Sequence, residues 1–90
     1  FGPSVDLKEL IRQGAKIVDV RTAAEFKQGN VKGSINLPLQ TLGSNVSTLK
    51  KEDVIITCCA SGMRSRAAKR LLKSQGYTNV HNGGTWMNLR

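Results

Sequence analysis

From Val54 to Gly76 the chain reads VIITCCASGMRSRAAKRLLKSQG. Val54, Ile55 and Ile56 are β-branched and unbroken, the composition of a strand buried on both faces. Farther on, Ala67, Ala68, Leu71, Leu72 and Gln75 recur at helical spacing, while Arg66, Lys69, Arg70 and Lys73 fill much of the remaining surface. Gly76 supplies the left-handed residue that ends a helix, and Arg70 and Lys73 suit the negative end of its dipole. Between strand and helix lies Cys59-Ala60-Ser61-Gly62-Met63-Arg64, placed where the N–H groups of a helix start face an anion. A thiol in that position is a candidate nucleophile.

The flanking sequence supplies more units of the same kind. Asp6 caps a helix with Glu9 three residues on, Leu7, Leu10 and Ile11 form its apolar stripe, and Gly14 ends it. Lys16 to Val20 reads as a buried strand. Thr22-Ala23-Ala24-Glu25 is a capping box opening a short helix that stops near Gly29. Ser34 to Leu37 is a brief strand, and Pro38 suits the first position of a short helix reaching Val46. Ser47 to Asp53 is polar loop. A strand around Asn79 to His81 precedes a Gly83-Gly84 turn and a last helix opening at Thr85-Trp86-Met87. Strands alternating with helices predict an α/β fold, a mostly parallel sheet covered on both faces. Ligands then bind beyond the carboxyl ends of the strands, where the cysteine loop and Arg21 both fall.

Ninety residues suit one domain with one core, spanning 1–90. No apolar run is long enough to span a bilayer, so no membrane contact is expected. The excess of 14 Lys+Arg over 6 Asp+Glu gives a formal net charge of +8. The basic residues are scattered over several helices, and one Trp, one Tyr and two Phe leave little to stack on bases. A solvated basic surface is therefore expected rather than a nucleic-acid site, and its field favours a small anionic substrate. The two cysteines are adjacent, which disfavours pairing with each other, and with His81 as the sole histidine they lack the spacing of a zinc site. His81 reads as a strand-end residue, and Trp86 and Met87 as packing residues. The start at Phe1 fits a cleaved signal peptide, a trimmed tag or excision from a longer protein. The sequence leaves the compartment open between cytoplasmic and, if a signal was removed, periplasmic.

Free cysteine has a pKa of about 8.5, and a helix N-terminus beside a cation lowers it to roughly 3.5–7.5. Arg64 and Ser65 supply a fixed charge and a hydroxyl. Gly62 permits φ > 0, so successive N–H groups can turn inward as an anion nest. The expected result is a thiolate at the floor of a cup of donors, with Met63 at its entrance. The bland alternative is a structural cysteine before an ordinary helix start.

The run Cys59-Ala60-Ser61-Gly62-Met63-Arg64-Ser65 resembles the active loop of the rhodanese family of sulfurtransferases. The likeness continues in Asp19-Val20-Arg21, Glu25-Phe26, Gly33 to Pro38, Gly76-Tyr77, and Gly83-Gly84 with Trp86, in the family's order. The resemblance implies a rhodanese-like three-layer α/β/α domain with a central sheet of four or five strands. It implies a catalytic Cys59 that takes sulfane sulfur from a small anionic donor such as thiosulfate. The acceptor is cyanide or a thiol, including a protein thiol, and no cofactor or metal is required. By the same carry-over the amides from Ala60 to Ser65 cradle the persulfide, Arg64 helps hold its charge, and Asp19 and Arg21 give structural support through an ion pair. A monomer is expected. Asn30 stands where many relatives carry histidine, and Ala60 where a polar or charged residue is common. The family's first strand is barely represented before Asp6.

Cys58 offers a second reading. Counted from Cys59 the loop is Cys-x4-Arg, the sulfurtransferase length; counted from Cys58 it is Cys-x5-Arg, the spacing of cysteine phosphatases and arsenate-type enzymes of rhodanese-like fold. Gly62 and Ser65 fall at the sulfurtransferase offsets from Cys59, and Cys58 prolongs the strand as a small inert thiol. Only Asp19 and Glu25 could act as general acid for phosphatase chemistry. A non-catalytic persulfide carrier or binding module is the third alternative.

Overall fold

The computed structural model describes residues 5–90. The expected remnant of a strand ahead of Asp6 falls mostly outside them. Four strands form one sheet in the order β2-β1-β3-β4, every neighbouring pair parallel. They are β1 (Lys16–Asp19), β2 (Ile35–Asn36), β3 (Ile55–Cys59) and β4 (Val80–Thr85). The α-helices are α1 (Leu7–Arg12), α2 (Ala23–Gln28) and α3 (Met63–Ser74), joined by short 3₁₀ helices at Leu39–Ser44 and Trp86–Leu89.

The helix starts follow local chemistry. Asp6 accepts from the Glu9 N–H at the head of α1. At α2 the Thr22 side chain accepts from Glu25 N–H while the Glu25 carboxylate accepts from Thr22 N–H, a closed capping box. Gly76, at φ +101°, turns the chain out of α3, as a residue without a side chain does most easily.

β3 is buried along its whole length, and its pleat divides the core in two. Ile55 and Cys59 face Leu42, Ala68, Leu72 and Tyr77, so α3 and the Leu39–Ser44 turn cover this side. Ile56 and Cys58 face Ile17, Val31 and Leu89, with Leu7, Leu10, Ile11 and Trp86 closing the other side. This is a three-layer α/β/α arrangement.

Three expectations at the element level are corrected. Gly83-Gly84 is not a turn: β4 runs through it to Thr85, with a register irregularity against β3 between Thr57 and Cys59. A Cβ on Gly83 would lie 2.8 Å from Ile56 Cγ2 and 2.9 Å from Thr57 O, so this glycine is set by close strand packing. The element after Pro38 is a 3₁₀ helix ending at Ser44, with Pro38 as its cap rather than its first residue. The last helix is likewise a single 3₁₀ turn.

Candidate active site

The loop from Cys59 to Ser65 leaves the carboxyl end of β3 and enters α3. Gly62, at φ +104°, caps the helix in the left-handed region, and a Cβ there would also meet Gly84 Cα at 3.5 Å. This conformation turns the chain back over the cysteine. The N–H of Gly62 donates to Cys59 Sγ at 2.9 Å and that of Ser65 donates at 3.3 Å. First-turn amides of a helix have no intrahelical acceptor, so the sulfur satisfies donors that would otherwise lie idle. Ser65 Oγ stands 3.6 Å from Sγ. Burial pushes the Cys59 thiol up, but the Ser65 hydroxyl and the amides of Ser65, Gly62 and Ser61 outweigh it and leave the pKa lowered.

Cys59 is fully buried, so the sulfur lies beneath the loop rather than on the surface. Ala60 and Ser61 are exposed above it, and Met63 is 80% exposed. A cleft of about 360 Å³ flanks the loop, lined by Ser61, Gly62, Met63, Arg66, Asn82 and Gly84.

Arg64 is placed differently from the expected anion clamp. Its guanidinium makes a two-pronged pair with the Glu25 carboxylate, at 2.7 and 3.0 Å. The Arg64 contact holds Glu25 well below the usual carboxylate range, at about 2, helped by the Thr22 N–H. The pair ties the start of α3 to α2. Asp19 and Arg21 do form an ion pair: Arg21 Nε and Nη2 donate to the Asp19 carboxylate at 3.0 and 2.7 Å. Arg21 Nη2 also donates to Gly29 O at 2.7 Å, and the guanidinium lies 4.6 Å from the centre of the Trp86 ring. The pair therefore organises the end of α2 and the Trp86 turn. Asn30, at the position noted above, donates to Phe26 O at 2.9 Å and finishes α2.

Cys58 points to the opposite face of the sheet, fully buried. Burial, and then the nearby Asp19 carboxylate, push its thiol up to about 12. Among the described residues no N–H group addresses it.

Two contributions are not visible in the sequence. Glu25 is expected as a capping residue and a candidate general acid, but its contact with Arg64, thirty-nine positions away, leaves no local trace. Asn82 accepts from the Ser65 hydroxyl at 2.6 Å. It sits opposite Thr57 in the middle of β4, and a lone asparagine inside a strand carries no local signal of that contact.

The sequence matches the model of the Rhodanese-like domain family over residues 4–84. The chain belongs to that family. Thiosulfate sulfurtransferase PspE of Escherichia coli (strain K12) is 36% identical over 69 residues, covering 74% of this chain and 66% of that protein. A protein named sulfurtransferase from Allochromatium vinosum is 36% identical over 66 residues, covering 73% and 62%. Among solved structures, the human single-domain sulfurtransferase TSTD1 superposes with a TM-score of 0.83 at 28% identity, covering 92% of this chain and 87% of that one. The chain thus spans less than two thirds of the length of these curated relatives.

Proposed function

We propose that residues 1–90 act as a single rhodanese-type sulfurtransferase domain with Cys59 as its nucleophile. The supporting observation is the pair of N–H groups, from Gly62 and Ser65, aimed at Cys59 Sγ, while among the described residues none addresses Cys58. The names of the relatives point the same way. In the first half-reaction the Cys59 thiolate attacks the sulfane sulfur of thiosulfate. A sulfur–sulfur bond forms to Cys59, the donor's sulfur–sulfur bond breaks, and sulfite leaves with the electron pair. In the second, cyanide or a thiolate attacks the outer sulfur, and the Cys59 thiolate departs. The loop serves both steps, because backbone dipoles stabilise the negative charge at each end of the cycle. The Met63 and Arg64 amides remain for the outer sulfur or the donor's oxyanion. Because the sulfur lies under the loop, the donor must enter between the loop and its neighbours.

The test is thiocyanate formation from thiosulfate and cyanide by the parent, Cys59→Ser and Cys58→Ser proteins. Turnover should vanish in the first variant only, and thiosulfate should add about 32 Da, one sulfur, to the parent on a thiol chosen by its thiolate character. Turnover that survives Cys59→Ser would overturn the assignment.

A further inference from the structure

We propose that Asn82 is a positioning residue that sets the ionisation of Cys59 by drawing the Ser65 hydroxyl proton away from the sulfur. Its catalytic meaning rests on the proposed role of Cys59, whereas the ionisation itself does not require sulfur transfer.

The Ser65 oxygen lies 2.6 Å from Asn82 Oδ1, 3.0 Å from Gly62 O and 3.6 Å from Cys59 Sγ. A hydroxyl has one proton to give, so only one of these groups receives it fully. The orientation of the Asn82 amide is fixed from its far side. Oδ1 accepts from the Gly84 N–H at 2.9 Å, and Nδ2 faces Gly62 O at 3.5 Å. Asn82 therefore shows Ser65 an acceptor, and the shortest of the three contacts is this one. Gly62 O is already served by the Arg66 N–H at 3.1 Å.

With its proton on Asn82, Ser65 turns lone pairs toward Sγ. That arrangement suits a thiol, which can donate to the Ser65 oxygen, and gives nothing to a thiolate. When the Cys59 proton leaves for solvent, the hydroxyl must swing to the sulfur and give up Asn82, or leave the anion with its two N–H donors alone. Asn82 thus opposes the ionisation that Gly62 and Ser65 N–H favour. The compromise is useful, since the intrinsic nucleophilicity of a thiolate falls with its pKa and the best attacking thiol has a pKa near ambient pH.

The charged groups around the thiol are the same in the parent and in Asn82→Ala. α3 brings Arg64 and α2 its counterion Glu25. β1 brings the Asp19–Arg21 pair, and β3 brings Cys58 on the opposite face. β4 brings His81, which burial and then Lys69 and Lys73 hold below its ordinary pKa.

The measurement is the ultraviolet absorbance of the Cys59 thiolate against pH in the full chain. Asn82→Ala should lower the midpoint by about half to one pH unit, the net worth of one hydrogen bond. Asn82→Asp keeps the side-chain shape and adds an anion where the Ser65 proton goes, and should raise the midpoint. In a Ser65→Ala background the Asn82→Ala shift should disappear. An unmoved or raised midpoint in Asn82→Ala, an unmoved or lowered one in Asn82→Asp, or an equal Asn82→Ala shift without the Ser65 hydroxyl would each overturn the proposal. Absence of thiocyanate turnover alongside these shifts would count against sulfur transfer and leave the Asn82 proposal standing.

Discussion

Two neighbouring cysteines show how far position outweighs residue type. Cys59 is met by two N–H groups, and its pKa lies below the ordinary value. Cys58, one residue earlier, is held at about 12 by burial and the Asp19 carboxylate. Cys58→Ser places a hydroxyl in an apolar cluster and should cost about 1–3 kcal/mol, read as a lower melting temperature, while thiocyanate turnover persists. Equal stability would mean the site holds an unseen acceptor. The pH dependence follows from the sign of the Cys59 shift. If the Cys59 thiolate is the nucleophile as proposed, its lowered pKa means that single-turnover persulfide formation should reach half its maximum below about pH 8.5 and decline as pH falls through that midpoint. A midpoint above the ordinary cysteine value would contradict the role given to the amides. The loop itself was legible in the sequence because a β-branched strand, a cysteine, Gly62 and a helix pattern follow each other without interruption. The partner of Arg64 was not, since a long side chain reaches acceptors that spacing along the chain cannot reveal.

Elements are held by contacts that join their ends. The Asp19–Arg21 pair is almost wholly buried, with Arg21 also on Gly29 O and beside Trp86. Asp19→Asn leaves the guanidinium buried without its counterion and should cost about 3–5 kcal/mol, measured as a loss of urea resistance. A loss below about 1 kcal/mol would show that Gly29 O and Trp86 suffice, against the usual cost of an uncompensated buried charge. Gly83→Ala should be worse tolerated than its size implies. The added methyl meets Ile56, Leu89 and the Thr57 carbonyl, and the carbonyl cannot move without disturbing β3. Overpacking of this kind costs about 1–3 kcal/mol, and thermal melting should show it. The same glycine explains why the end of β4 differs from the sequence expectation: Gly-Gly favours a turn in isolation, but here a small residue lets β4 lie against β3 and the Trp86–Leu89 turn. The capping signals at Asp6 and Thr22, by contrast, work within one turn of chain and could be read directly.

At the scale of the whole molecule, a formal charge of +8 is carried by a domain with a Cα radius of gyration of 11.9 Å. A Debye length of about 10 Å at 0.1 M salt is close to that radius, so screening reaches the scale of the molecule near physiological ionic strength. For a dianionic donor, kcat/KM should therefore fall as salt is raised, in a steady-state series at constant pH. A flat series would remove the field from the encounter. The alternation of strands and helices was enough to foresee a covered parallel sheet, because the β-branched runs at residues 17–18 and 54–56 were too apolar to face water. The strand order was not foreseen, since β1 pairs directly with β3, skipping β2 in sequence, and that choice lies in tertiary packing.

The pleat of β3 has a consequence for how this protein could go wrong. Successive side chains of a strand point to opposite faces, so sliding β3 by one residue against its neighbours would exchange the environments of its two sulfurs. Which thiol meets the loop amides is thus a matter of phase: an insertion or deletion ahead of Cys58 that advanced the strand one step would present the loop with a different residue and no matching cradle.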